Sequence, residues 1–112
     1  MRDEKTEELL QMSGSNLQRI RENAGLTTEE LMMRMGKVDG ERLKESRENF
    51  GRNVRAAREN AGLSVGELAA RVGISSIIMR RIERGTHDCK LGTGGKIASV
   101  LEVDLRSLFE RH

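Results

Sequence analysis

The 112-residue chain contains no proline, no tryptophan and no tyrosine, and only one cysteine and two phenylalanines. Without proline, nothing removes a backbone donor inside a helix, and a core must be built almost wholly from aliphatic side chains. A single cysteine excludes an internal disulfide and fits a reducing compartment. No stretch approaches the ~18 apolar residues of a membrane-spanning helix, and the opening MRDEKTEELL is too acidic for a secretory signal. The expectation is a cytoplasmic protein with no membrane partner. At this length the chain holds one domain of ordinary size or two very small ones, and no enzyme-sized core.

Charge is plentiful but nearly balanced: 34% of residues are charged and the net charge is +2, which by itself implies no partner. Its distribution is uneven. Residues 1–49 hold nine Lys/Arg against eleven Asp/Glu, net −2, whereas residues 50–112 hold eleven against seven, net +4. A local basic excess is the electrostatic footprint that a phosphate-binding face needs.

Within the basic half, residues 64–85 read SVGELAARVGISSIIMRRIERG, two short helical patterns hinged on one glycine. Ser64 and Glu67 form a capping box at the first start. Leu68, Ala69 and Val72 then fall on one buried stripe, and Gly73 supplies the positive φ that ends the helix. Ser75 suits the N-cap of the second helix, Met79 and Ile82 form its inner face, and Gly85 closes it. Ser76, Ile77, Ile78, Arg80, Arg81 and Arg84 are left outside. Phe50, Val54, Ala57, Leu63, Leu68, Val72, Ile74, Met79, Ile82, Leu91, Ile97, Val100, Leu101, Leu105 and Leu108 recur at helical spacing and can close one small core.

On these residues the stretch Gly51–Phe109 resembles the XRE type of helix-turn-helix domain, the group of the lambdoid phage repressors and Cro proteins. The motif residues are Arg58, Gly62-Leu63-Ser64, Glu67-Leu68-Ala69, Gly73 and Ile82-Glu83-Arg84-Gly85, followed by Val103-Asp104-Leu105 and Leu108-Phe109. The resemblance implies an all-α, lambda-repressor-like bundle of five helices. It also implies that Ser75, Ser76, Ile77, Arg80 and Arg81 read bases, and that Arg58 and Glu83 form a structural ion pair rather than touching DNA. Two departures carry expectations. Val65 stands where the family often has glutamine, which removes a phosphate contact. The glycines of LGTGGKIASVL, Gly92, Gly94 and Gly95, each cost up to ~1 kcal/mol relative to alanine in a helix interior and predict a short or mobile fourth helix.

The first half hides a partial copy of the second. NLQRIRENAGLTTEELMMRMG at 16–36 aligns, at a constant offset of 37, with NVRAARENAGLSVGELAARVG at 53–73, with eleven identities in twenty-one positions. Thr27 and Glu30 repeat the capping box, and Gly36 repeats the hinge. Beyond it, Asp39 and Glu41 occupy the start of the would-be third helix, where acidic groups repel phosphates. We therefore expect two regions: 1–49, a degenerate helical copy whose last helix at about 40–48 runs into the next, and 50–112, the DNA-binding domain. Leu9, Leu10, Met12, Leu31, Met32, Met33 and Met35 supply adaptable apolar side chains for a dimer contact. A helix at about 3–12 could serve as an arm, and Leu105 and Phe109 offer the fallback dimer surface.

The reading helix should enter the major groove. Arg80 or Arg81 can make a bidentate contact to guanine, and Ile77 can meet a thymine methyl. Arg84, Thr86, His87 and Lys90 follow that helix and suit the adjacent phosphates. His87, Asp88 and Cys89, with His112, lack the paired spacings of a structural zinc site and read as a surface loop. LGTGGK lacks the strand and the full spacing of a phosphate loop. No nucleophile with a matched base is visible, so the expectation is no enzyme, no cofactor and no metal. The leading reading is a homodimeric transcriptional regulator, a repressor or autoregulator, on a palindromic operator in double-stranded DNA. The competing one is a protein-interaction module of the same fold, antitoxin-like or coactivator-like, which would grip a protein partner through residues 1–49.

Overall fold

The computed structural model describes residues 25–34 and 43–110. The arm expected at about 3–12, the Gly36 hinge, Asp39, Glu41 and the apolar residues Leu9, Leu10, Met12 and Met35 lie outside the described residues. Among those described, regular structure is helical: α1 (Thr28–Arg34), α2 (Leu43–Asn60), α3 (Val65–Val72), α4 (Ser76–Arg84), α5 (Leu91–Leu101) and a closing 3-10 helix, Leu105–Phe109. The architecture is an all-α helix-turn-helix bundle.

The longest element, α2, runs unbroken for 18 residues, so residues 43–48 of the helix expected at about 40–48 are continuous with the first helix of the second copy, and the 49/50 boundary falls inside α2. Its buried stripe is Ser46, Asn49, Phe50, Asn53 and Val54, spaced three and four apart as one face of a helix requires. The helix ends where Gly62 takes φ +73° and the amide of Leu63 returns to the Arg58 carbonyl at 3.1 Å. Two asparagines on this face have a defined task. Asn49 Nδ2 donates to the Glu110 carbonyl at 2.8 Å, and Asn53 Nδ2 donates to the carbonyls of Leu108 at 2.9 Å and Glu110 at 2.6 Å. They satisfy acceptors that the end of the 3-10 helix leaves open and hold that end against α2.

The capping residues behave as local chemistry dictates. Ser64 Oγ accepts from Glu67 N while the Glu67 carboxylate accepts from Ser64 N, both at 3.0 Å. That backbone amide holds the Glu67 carboxyl below its ordinary range. Ser75 Oγ accepts from Ile78 N at 3.1 Å at the start of α4. In the first copy, Thr27 Oγ1 likewise accepts from Glu30 N at 3.1 Å.

The core gathers Phe50, Val54, Leu68, Ala69, Val72, Met79, Ile82, Leu91, Ile97, Leu101, Leu105 and Leu108, completed by Cys89, Ala98 and Phe109. Ala57, Leu63, Ile74 and Val100 are half-buried and pack on its edge. The rings of Phe50 and Phe109 lie 5.4 Å apart, so the scarce aromatics are spent on joining α2 to the chain's closing turn. Leu105 and Phe109 are 0% and 2% exposed, which removes them as a fallback dimer surface.

The expected closing helix is present as the 3-10 helix Leu105–Phe109, where Ser107 bonds the Asp104 carbonyl through both its amide and its hydroxyl. One expectation is corrected: α5 is not short, spanning 11 residues with Gly94 and Gly95 buried. A Cβ at Gly94 would sit 3.3 Å from Thr28 Cγ2 and 3.8 Å from both Leu105 Cδ1 and Phe50 Cζ. Three elements converge there, and packing offsets the propensity cost.

The crossing of α2 over α4 depends on one glycine within α2 and one at the C-cap of α4. At Gly51, a Cβ would meet the Ile82 carbonyl oxygen and lie 2.5 Å from that of Glu83; at Gly85, which has φ +78°, it would lie 2.6 Å from Glu48 Cα. These neighbours are backbone and cannot swing away. Gly51→Ala should therefore destabilise the fold by about 1–3 kcal/mol, whereas Gly66→Ala, whose Cβ meets only Ser64 Oγ at 4.0 Å, should be neutral or stabilising. Thermal unfolding of the two variants checks this; equal midpoints would show that α2 and α4 can separate freely.

Candidate nucleic-acid interface

With 3.6 residues per turn, positions 77, 80, 81 and 84 fall within a sector of roughly 100°, opposite the buried Met79 and Ile82. The structure follows this: Ile77, Arg80, Arg81 and Arg84 are exposed, Ile77 to 62%, while Met79 and Ile82 are at 0% and 1%. Ile78 is half-buried and leans on the core, which settles which of the paired isoleucines faces out. None of the three arginines makes an ion pair with another described residue. The first turn of α4 carries no acidic side chain, so its free amides and positive helix end are not neutralised there. Ser75 and Ser76 are also exposed, though Ser75 Oγ is already an acceptor for the helix start.

Beyond α4, Gly85 ends the helix and Thr86 finishes the cap. Its amide and its hydroxyl both donate to the Arg81 carbonyl, at 2.9 and 3.2 Å. Both donors are thus engaged in closing α4, on a residue that is itself exposed. His87 is half-buried and Lys90 exposed.

What aims α4 is an ion pair behind it. Arg58 Nε lies 2.8 Å from Glu83 Oε2 and Arg58 Nη2 lies 3.1 Å from Glu83 Oε1, with side-chain exposures of 12% and 7%. The third nitrogen, Nη1, donates to the Leu63 carbonyl at 2.9 Å. One guanidinium therefore ties together the end of α2, the turn before α3 and the last turn of α4. Hydrogen bonding to Glu83 raises the Arg58 pKa above its ordinary value.

Residues 49–110 match the sequence profile of a family described as a helix-turn-helix domain, more than half of the chain. The chain belongs to the helix-turn-helix domain family. This is consistent with the XRE-type resemblance, and it carries the coarse function, that of a DNA-binding regulator. No curated protein and no solved structure matches the chain. In this helix-turn-helix, α3 and α4 are the paired helices and α4 carries the exposed basic stripe. No helix among the described residues is long and apolar enough to cross a membrane.

The loop 87–89, expected at the surface, is half-buried at His87 and Asp88 and buried at Cys89. Asp88 Oδ1 accepts from Thr28 Oγ1 at 2.9 Å and from Glu29 N at 3.2 Å, and Cys89 is 3% exposed. No three His, Cys, Asp or Glu residues gather as a metal site among the described residues. LGTGGK is the opening of α5. Sequence reasoning read Asp88 only as a loop residue and missed Thr28, Glu29 and Arg47, which bond to it, to one another or to the end of α4. The residue types are suited to capping, Thr27 and Thr28 at one place and Asp88 at another, but nothing in the sequence brings positions sixty apart together.

Two measurements follow from these contacts. Removing one partner of a buried pair strands the other's charge and typically costs about 3–5 kcal/mol. Glu83→Ala should therefore leave the domain largely unfolded at room temperature, while Glu83→Gln, which keeps one acceptor for Arg58, should lose less. Denaturant titration decides it, and a Glu83→Ala variant as stable as the parent would remove the clamp's role. For Cys89, burial and then the Asp88 charge push the thiol up from 9.0 to about 12. The native state keeps a proton that the unfolded chain gives up near pH 9. The thiol's contribution is complete below that pH and is lost progressively between about 9 and 12. Cys89→Ala should flatten the alkaline fall in stability relative to the parent; identical slopes would contradict it.

Proposed function

We propose that the protein is a sequence-specific transcriptional regulator that reads operator DNA through α4 and represses by occupying the operator. The observation that carries this reading is the exposed stripe Ile77, Arg80, Arg81 and Arg84, whose arginines have no ion partner among the described residues. Arg80 and Arg81 read base edges, with Ile77 against a thymine methyl and Ser75 and Ser76 at the groove wall. Arg84, His87 and Lys90 bind phosphates, and Thr86 holds the end of α4.

In this reading the protein acts as a homodimer on a palindromic site, with the two α4 helices set ~34 Å apart to enter successive major grooves. The first half supplies the dimer contact. Repression then needs no effector domain, because an occupied operator excludes polymerase.

Binding of the full chain to random duplex and to a selected operator, measured across salt concentrations, tests the proposal. Affinity should fall steeply with salt. Arg81→Ala should lose about 1–3 kcal/mol on the selected site and relax preference there, whereas Lys90→Ala should weaken all sequences alike and reduce the salt slope by about one. Sedimentation of the free protein should give a dimer. Binding without salt dependence, or none, would favour the antitoxin-like or coactivator-like reading, and a monomer bound to single half-sites would remove the palindrome.

A further inference from the structure

We propose that residues 26–29, from the first copy, brace the loop between α4 and α5 in its phosphate-binding shape, with Asp88 as the positioning residue. The inference rests on the DNA-binding reading above and assigns a part in it to a segment outside the helix-turn-helix.

Residues 86–90 have neither helix nor ladder of their own. Past Thr86, until α5 begins, the loop is tied to residues 26–29. Thr28 N donates to the Cys89 carbonyl at 3.1 Å, Leu91 N donates to the Leu26 carbonyl at 2.6 Å, and Thr27 and Lys90 form an isolated antiparallel bridge. Asp88 Oδ1 takes both Thr28 Oγ1 and Glu29 N, so the loop caps α1 while α1's leading residues hold the loop. Arg47 of α2 closes the arrangement, donating from Nε to the Gly85 carbonyl at 3.2 Å and pairing through Nη1 with the Glu29 carboxylate.

Two further observations make this more than a chance contact. The first is electrostatic. A loop that meets phosphates gains nothing from a bare carboxylate, yet two acids stand here, and both are committed: Asp88 to two donors, Glu29 to Arg47. What the loop turns outward is Lys90, which is exposed, while His87 beside it is half-buried. The second is steric. Thr28 is 4% exposed, and its methyl lies against the bare Cα of Gly94, where a Cβ would stand 3.3 Å away. The glycines that look like a flaw in α5 leave room for this segment. Without the brace, Lys90 would be a flexible cation on an untethered loop, and ordering it would fall on the binding step.

The test uses the full chain and a random-sequence duplex at several salt concentrations, with Asp88→Ala, Asp88→Asn, Lys90→Ala and the Asp88→Ala/Lys90→Ala double variant. Asp88→Ala should weaken binding by roughly 3- to 10-fold, in the lower part of the coupling seen between neighbouring residues, although it removes a negative charge near DNA. Asp88→Asn removes the same charge but keeps the acceptor, and should bind at least as well as the parent. Lys90→Ala should cost less in the Asp88→Ala background than in the parent. Should Asp88→Ala fail to fold, Thr28→Val, which keeps the methyl and deletes the donor, should weaken binding in its place. Asp88→Ala and Asp88→Asn binding equally well, or a Lys90→Ala cost that is the same in both backgrounds, would overturn the brace. A parent that shows no salt-dependent binding would instead overturn the DNA-binding reading itself.

Discussion

The geometry of the domain depends on how closely α2 lies across the last turn of α4, and on the charge pair that this closeness permits. Gly51 and Gly85 remove the side chains that would hold the two backbones apart. Within that gap, Arg58 can reach Glu83 with two nitrogens and the Leu63 carbonyl with a third. A buried pair of this kind is weak evidence of net stabilisation, since desolvation offsets much of the attraction. Its consequence is geometric: a planar, forked donor admits few arrangements of its partners. The direction of α4, and with it the direction of every exposed side chain on α4, follows from that.

Small size makes such constraints matter. A domain of about 60 residues buries only ~60% of the surface of its unfolded chain, so it has little core to spare for holding helices at fixed angles. This chain adds polar devices at the places where the core is thin. Asn49 and Asn53 fasten the closing 3-10 turn to α2, Ser64 and Ser75 fasten the starts of α3 and α4, and Thr86 fastens the end of α4. Each leaves the outward face of α4 free of structural duty, apart from Ser75.

The described part of the first half packs within the chain. Residues 26–29 bond to the loop after α4, residues 43–49 extend α2, and Ser46 and Asn49 are buried on it. A segment that aligns with α3 at an offset of 37 thus contributes here through its N-terminal turn, Thr27 and Thr28. Met33, one of the residues expected to build a dimer contact, is 48% exposed.

Local chemistry in the sequence determined the starts and ends of α3 and α4, because a capping serine, the glutamate partner of Ser64 and a left-handed glycine act over three or four residues and need nothing distant. It also determined the inner and outer faces of α4, since a helix of known period with Met79 and Ile82 inside leaves Ile77, Arg80, Arg81 and Arg84 outside. Only the tertiary structure decided what the glycines of α5 do. Propensity reads Gly94 as a cost, and its use appears only when Thr28, Leu105 and Phe50 arrive from three other elements. The same holds for Asp88 and Cys89, adjacent in sequence: one caps a helix sixty residues away in the chain, the other fills the core. Such roles are set by which surfaces meet, and that is a property of the whole packed chain rather than of any window along it.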